Sequence, residues 1–203
     1  MVGSCLEAEL LLCCARISSN SDRAEQLTAL LRKDPDWALV LRIAHRHGVA
    51  PLVFWRLSQT CPEAVPTDVL DRLRDDFRAN GLRNLYWTGE LLELLSAFEK
   101  QGIPAIPFKG PTLAALAYDN VALRQFDDLD ILVRKRDVPK AKELLVSAGY
   151  RPAYRLNDKQ EAALLQHNSE HPFTREDDGS VVDLHWEIVE RRYSFALDTE
   201  RLW

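Results

Sequence analysis

Two hydrophobic rhythms divide the chain. Up to about residue 100, apolar side chains recur every three or four positions, the spacing that gathers them on one face of a helix. Leu6 to Ile17, Asp22 to Arg32, Asp36 to His47 and Pro51 to Ser58 each carry it. Polar or proline-containing breaks separate them: Ser18-Ser19-Asn20-Ser21, Lys33-Asp34-Pro35 and Gly48. From Thr67, a residue suited to cap a helix start, the same rhythm runs to about Lys100 and stops at Gly102. Gly81 and Gly89 fall inside this run and predict kinks there.

Beyond Gly102 the rhythm shortens. Ile103 to Phe108 reads as a short strand, and Lys109-Gly110-Pro111-Thr112 opens a helix through Ala117 with Pro111 at its first position. A strand from Asp128 to Val133 follows, then a helix opened by Asp137 with an apolar stripe at Val138, Ala141, Leu144, Leu145 and Ala148, closed by Gly149. A weaker helix, Asp158 to Gln166, precedes strands at Pro172 to Arg175 and Ser180 to Ile188, with Asp177-Asp178-Gly179 as a hairpin turn. The pattern therefore predicts an α+β protein: a helical region over 1–100 and a sheet domain over 101–203.

The alternation within two of these strands carries the candidate chemistry. In Asp128-Leu129-Asp130-Ile131-Leu132-Val133, Asp128 and Asp130 share one face, while Leu129, Ile131 and Val133 share the other. Two carboxylates so placed repel each other unless a cation lies between them, which suits a hard divalent ion such as Mg²⁺. Val181-Val182-Asp183-Leu184-His185-Trp186 alternates likewise, with Asp183 and His185 opposite Val182, Leu184 and Trp186. If the two strands are neighbours, three carboxylates meet on one patch, the requirement of a two-metal phosphoryl-transfer site. An Asp-x-Asp alone carries little weight, because strand-end acids also pair with residues such as Arg124 or Arg134.

Lys109 stands between a strand and a helix start, where a point charge can meet phosphate. Gly110 lets the backbone approach a ligand closely. Arg124 suits bidentate phosphate binding, or a structural ion pair with Asp128. His185 can contact nucleotide or orient a carboxylate. Asp127 falls on the opposite face from the acidic pair, and Trp186 points to the core. His167, Glu170 and His171 read as loop or strand-end residues, and His45 and His47 as surface residues at a helix end.

Composition narrows the partners. Of 203 residues, 46% are hydrophobic and 28% charged, as in an ordinary globular protein. A net charge of −5 gives no general nucleic-acid surface, so a nucleotide must be held by local cations or metal. The four cysteines, Cys5, Cys13, Cys14 and Cys61, show no metal-site or disulfide spacing and read as small buried residues of a reducing compartment. No apolar run approaches the length of a membrane span, and a cytoplasmic location is expected.

At these residues the chain resembles the uncharacterised nucleotidyltransferase family, a branch of the DNA polymerase beta-like superfamily. The resemblance rests on Lys109-Gly110 after an apolar strand, Tyr118, Arg124-x-x-x-Asp128-x-Asp130-x-Leu132-Val133, Ala148-Gly149-Tyr150 and Asp183-Leu184-His185-Trp186. The lead-in His47-Gly48-Val49-Ala50-Pro51-Leu52 matches as well. The family's usual Gly-Ser opening is Lys109-Gly110 here, which removes a serine contact to phosphate, and the gap from Gly110 to Asp128 is long.

The resemblance implies a helical region packed on a mixed β-sheet flanked by helices. It also implies metal at Asp128, Asp130 and Asp183, and nucleotide contacts from Lys109, Gly110, Arg124 and His185. The implied reaction moves a nucleoside monophosphate from an NTP to an acceptor hydroxyl with Mg²⁺ or Mn²⁺. The acceptor (a protein, an RNA end or a small molecule) is left open, as are a non-catalytic nucleotide-binding module and an Asp-x-Asp glycosyltransferase. Related proteins often continue further, so the ending at Trp203 is expected to reflect a shortened chain or an absent helical cap.

Overall fold

The computed structural model describes residues 5–16, 21–189 and 199–203. Ile17 and the break Ser18-Ser19-Asn20 lie outside them. Contacts group the chain into two compact units, residues 1–85 with 114–126, and residues 86–113 with 127–203.

The first unit is helical. It contains α1 (Leu6–Ala15), α2 (Ser21–Leu31), α3 (Trp37–Arg46), α4 (Ala50–Thr60) and the first half of α5 (Thr67–Lys100). The helical stripes meet in one core that includes Leu10, Cys14, Leu27, Val40, Ala44, Val53, Leu57 and Leu73. Asp36 caps α3, its carboxylate accepting from the Leu39 N–H at 3.1 Å. Gly48 adopts a φ of 65°, a left-handed turn that glycine makes without strain, and so joins α3 to α4. The His47–Leu52 segment thereby brings Ala50 and Pro51 to the wall of a cavity of about 220 Å³ shared with His45, Asp76 and Gln125.

Two buried asparagines of α5 organise the chain ahead of the acidic strand. The Asn80 amide donates to the carbonyls of Ala122 and Arg124, and the Asn84 amide to those of Val121 and Arg124. These bonds satisfy loop carbonyls that burial would otherwise leave bare. Gly81 and Gly89 lie inside α5, which runs on as one helix through both. Gly81 allows close approach, since a Cβ there would lie 3.3 Å from the Ala122 Cβ. Cys13, Cys14 and Cys61 are buried thiols, as expected, whereas Cys5 is exposed, against the expectation that all four are buried.

The second unit is built on five strands, β1 (Ala105–Phe108), β2 (Leu129–Val133), β3 (Tyr150–Pro152), β4 (Glu170–Arg175) and β5 (Val181–His185), in the order β1-β2-β5-β4-β3. Only the central pair, β2 with β5, is parallel. Helices α7 (Val138–Ser147) and α8 (Asp158–His167) connect strands of this unit, while α6 (Gly110–Tyr118) starts in it and from Ala114 on groups with the first. β2 is buried along its whole length, with Leu129, Ile131 and Val133 fully enclosed beside Val182, Leu184 and Phe173. The short strand β3 has no counterpart among the sequence expectations. At the far end of β4, Arg175 pairs with Glu90 (2.7 Å) and Asp178 (2.6 Å) and covers the Tyr150 ring. The second half of α5 is thereby tied to the sheet it groups with.

Candidate metal and nucleotide site

The register of the central pair decides which acids meet. Asp130 of β2 lies directly beside Asp183 of β5, and Leu132 beside His185. In-register residues of neighbouring strands share a face, so Asp130, Asp183 and His185 project together while Leu129, Val182 and Leu184 enter the core on the other side. One ligand atom from each of Asp130, Asp183 and His185 lies within 4.8 Å of the others, a group that could hold a metal ion.

Asp130 is the buried centre of this patch, its side chain 1% exposed. Its Oδ1 accepts from the Lys109 ammonium at 2.6 Å and faces His185 Nε2 at 3.0 Å. Its Oδ2 is buried with no hydrogen-bond partner among the described residues. Burial pushes this carboxyl up, but the bonds from His185 and Lys109 outweigh it and hold Asp130 below the ordinary carboxylate range. It is therefore ionised at neutral pH, with unshared lone pairs on Oδ2.

Asp183 behaves differently. Burial, then the negative charges of Glu170 and Asp128, push its pKa up to about 6. A carboxyl crowded by like charges gains most from a cation. The orphaned Asp130 oxygen and the crowded Asp183 together fit a divalent ion bound through oxygen donors.

The flanking residues frame the patch. Lys109 has a φ of 54°, a left-handed backbone uncommon for a side chain of its size. That turn reverses the chain from β1 into α6 and lets the ammonium reach back to Asp130. Burial alone would lower the lysine, but its bond to Asp130 and the charges of Asp130, Asp128 and Glu170 raise it. Gly110 follows at a φ of 36°, and a Cβ there would lie 3.3 Å from the Asp128 carbonyl oxygen. Glycine is thus required for both conformation and room.

Asp128 stands just ahead of β2, half-buried, outside the three-residue group, yet its charge is felt by Asp183 and Lys109. Arg124 belongs to the first unit, where its guanidinium lies 5.8 Å from the centre of the Phe126 ring. His185 is buried between carboxylates: Nδ1 lies 3.2 Å from Glu170 Oε2, and the ring meets the Phe108 ring edge-on. Trp186 is buried, as expected, and its indole N–H donates to the Asn168 carbonyl at 2.9 Å.

Glu170 stands at a strand end, as read, but its place in the acidic patch was missed. It opens β4 and pairs with His185 across the hairpin, while His171, inside the strand, faces the opposite side beside Leu184. The signal was present: a turn at Asp177-Asp178-Gly179 with Arg175 and Ser180 as its closing residues puts position 170 opposite 185.

Among the described residues, no helix is long and apolar enough to cross a membrane. No curated protein matches the chain. A family model described as an uncharacterised nucleotidyltransferase matches residues 33–203, which include both halves of the acidic patch. The chain belongs to this uncharacterised nucleotidyltransferase family.

Proposed function

We propose that the protein is a metal-dependent nucleotidyltransferase that moves a nucleoside monophosphate from an NTP to an acceptor hydroxyl and releases pyrophosphate. The observation that carries the reading is the side-by-side register of Asp130 and Asp183 on parallel strands, with one buried Asp130 oxygen left bare. Asp130 and Asp183 would hold Mg²⁺ or Mn²⁺, with Asp128 at the mouth of the strand adding a third carboxylate. A divalent ion bound there supplies charge neutralisation for the triphosphate and orients the attacking and leaving oxygens.

The chain's own groups do the rest. Lys109, half-exposed and already drawn to the acidic patch, offsets phosphate charge as a point cation. Gly110 lets the start of α6 approach the nucleotide without a side chain in the way. Asp183 would share the ion and help take the acceptor proton as the new O–P bond forms and the bond to pyrophosphate breaks. His185 keeps Asp130 oriented from below.

The test is release of labelled pyrophosphate and transfer of α-phosphate label in cell extract supplied with each NTP and Mg²⁺ or Mn²⁺. Asp130→Asn and Asp183→Asn are each expected to lose at least about 10²-fold in rate, the scale of losing one preorganised electrostatic group. Transfer that survives in both variants would refute the reading. NTP binding without any transfer would assign the fold to a non-catalytic nucleotide-binding role instead.

A further inference from the structure

The patch contains one carboxylate to which the proposed reaction gives no work. Glu170 sits on the same face as Asp183 and His185, and its Oε2 is 3.2 Å from His185 Nδ1. Nε2 of the same ring is 3.0 Å from Asp130 Oδ1. An imidazole with a carboxylate at each nitrogen is locked in rotation, because turning the ring breaks both contacts together. The His185 side chain is 4% exposed, whereas Glu170 is 42% exposed and reaches the buried ring from the open side of the patch. The remaining neighbour on the sheet, the Phe108 ring at 4.8 Å between centroids, offers no acceptor in the ring plane.

Asp130 inherits that lock. With Oδ1 committed to His185 and Lys109, the carboxylate has one orientation, and Oδ2 is the atom left without a bond. An anchor that orients a metal-site side chain typically changes metal affinity by about 10–100-fold.

We propose that Glu170 is a positioning residue of this site, acting through His185 to hold Asp130 with Oδ1 engaged and Oδ2 left for a divalent cation. The inference rests on the metal-site reading above and adds to it a fourth acid whose task is orientation. Without Glu170, Nδ1 loses its carboxylate partner and the ring is held to Asp130 by Nε2 alone, so it is freer to turn. A simple charge role makes a different forecast, since it depends on the net charge of residue 170 and not on an oxygen at that point.

Glu170→Gln separates the two, keeping an acceptor oxygen while removing the charge. The full-length chain is titrated with Mn²⁺ alone, following the free-ion electron paramagnetic resonance signal, and the ¹⁵N signals of the His185 ring are recorded without metal. Glu170→Ala is expected to weaken Mn²⁺ binding by about 10–100-fold and to move the ring signals. Glu170→Gln is expected to restore the ring signals and most of the affinity. Equal losses in both variants would replace positioning with plain charge attraction, and wild-type ring signals and affinity in Glu170→Ala would overturn the inference outright. Asp130→Asn is the reference: if it binds Mn²⁺ as wild type does, or if wild type takes up none, the metal-site reading itself fails and this inference with it.

Discussion

Two buried histidines occupy neighbouring strands of one sheet and lead opposite lives. His185, on β5, has a carboxylate at each ring nitrogen. His171, on β4 beside Leu184, is fully enclosed, and neither ring nitrogen has a hydrogen-bond partner among the described residues. It is sandwiched by rings instead, Tyr154 stacked at 5.7 Å and Phe173 at 5.0 Å. Burial, helped by the nearby Lys142 charge, pushes its pKa down to about 4. One residue type thus serves polar orientation on one face and apolar packing on the other. The face of the sheet, not the residue, sets the chemistry.

The largest expected effect that tests this contrast comes from acid. A His171 value near 4 in the folded chain lies below the ordinary 6.5, so as pH falls through that window the unfolded chain gains a proton that the folded one refuses. Stability from this group is complete above about 6.5 and is lost progressively down to about 4, a total of roughly 3 kcal/mol. His171→Leu is expected to flatten that part of the pH–stability curve in urea unfolding. An unchanged slope would show that His171 does not titrate against its surroundings.

A smaller effect of opposite sign is expected on the polar face. Asp183, raised to about 6, makes the folded chain hold a proton more tightly than the unfolded chain does. Stability therefore falls as pH rises through the interval from about 4 to 6, and the ionised acid is a burden at pH 7. Asp183→Asn is expected to stabilise the metal-free protein at pH 7 by about 1–2 kcal/mol after allowance for solvent screening, while losing transfer activity. A destabilised Asp183→Asn would mean that Asp183 is already well paired.

The smallest effect concerns the lid on His171. Tyr154 is mostly exposed, and removing its stacked ring in Tyr154→Ala is expected to cost about 0.5–1.5 kcal/mol and to weaken the acid sensitivity by letting water reach the imidazole. Acid sensitivity equal to that of wild type would place the protection elsewhere.

Much of this was legible before any coordinates. The helical stretches, the full span of α5 and the two acidic strands follow from spacing alone, because apolar periodicity is enforced locally. The parallel neighbourhood of β2 and β5 was conditional in the sequence, and the register that puts Asp130 against Asp183 settles it. β3 escaped notice because three residues are too few for a period. Glu170 and His171 do stand at a strand end, as read, but what they touch was not drawn from the sequence, because their segment is short and interrupted by Pro172. The predicted hairpin turn carries the antiparallel pairing that sets Glu170 against His185, while the burial of that ring depends on the packing around it.

α5 continues past Tyr86, where the grouping of the chain changes, and supplies Glu90 to Arg175 and the wholly buried Phe98 to the sheet unit. Anyone cutting the chain where the sequence suggests, at residue 101, would strip a counter-ion from Arg175 and take the buried Phe98 away from the unit it groups with. A cut ahead of Tyr86 keeps both on the sheet side of the incision.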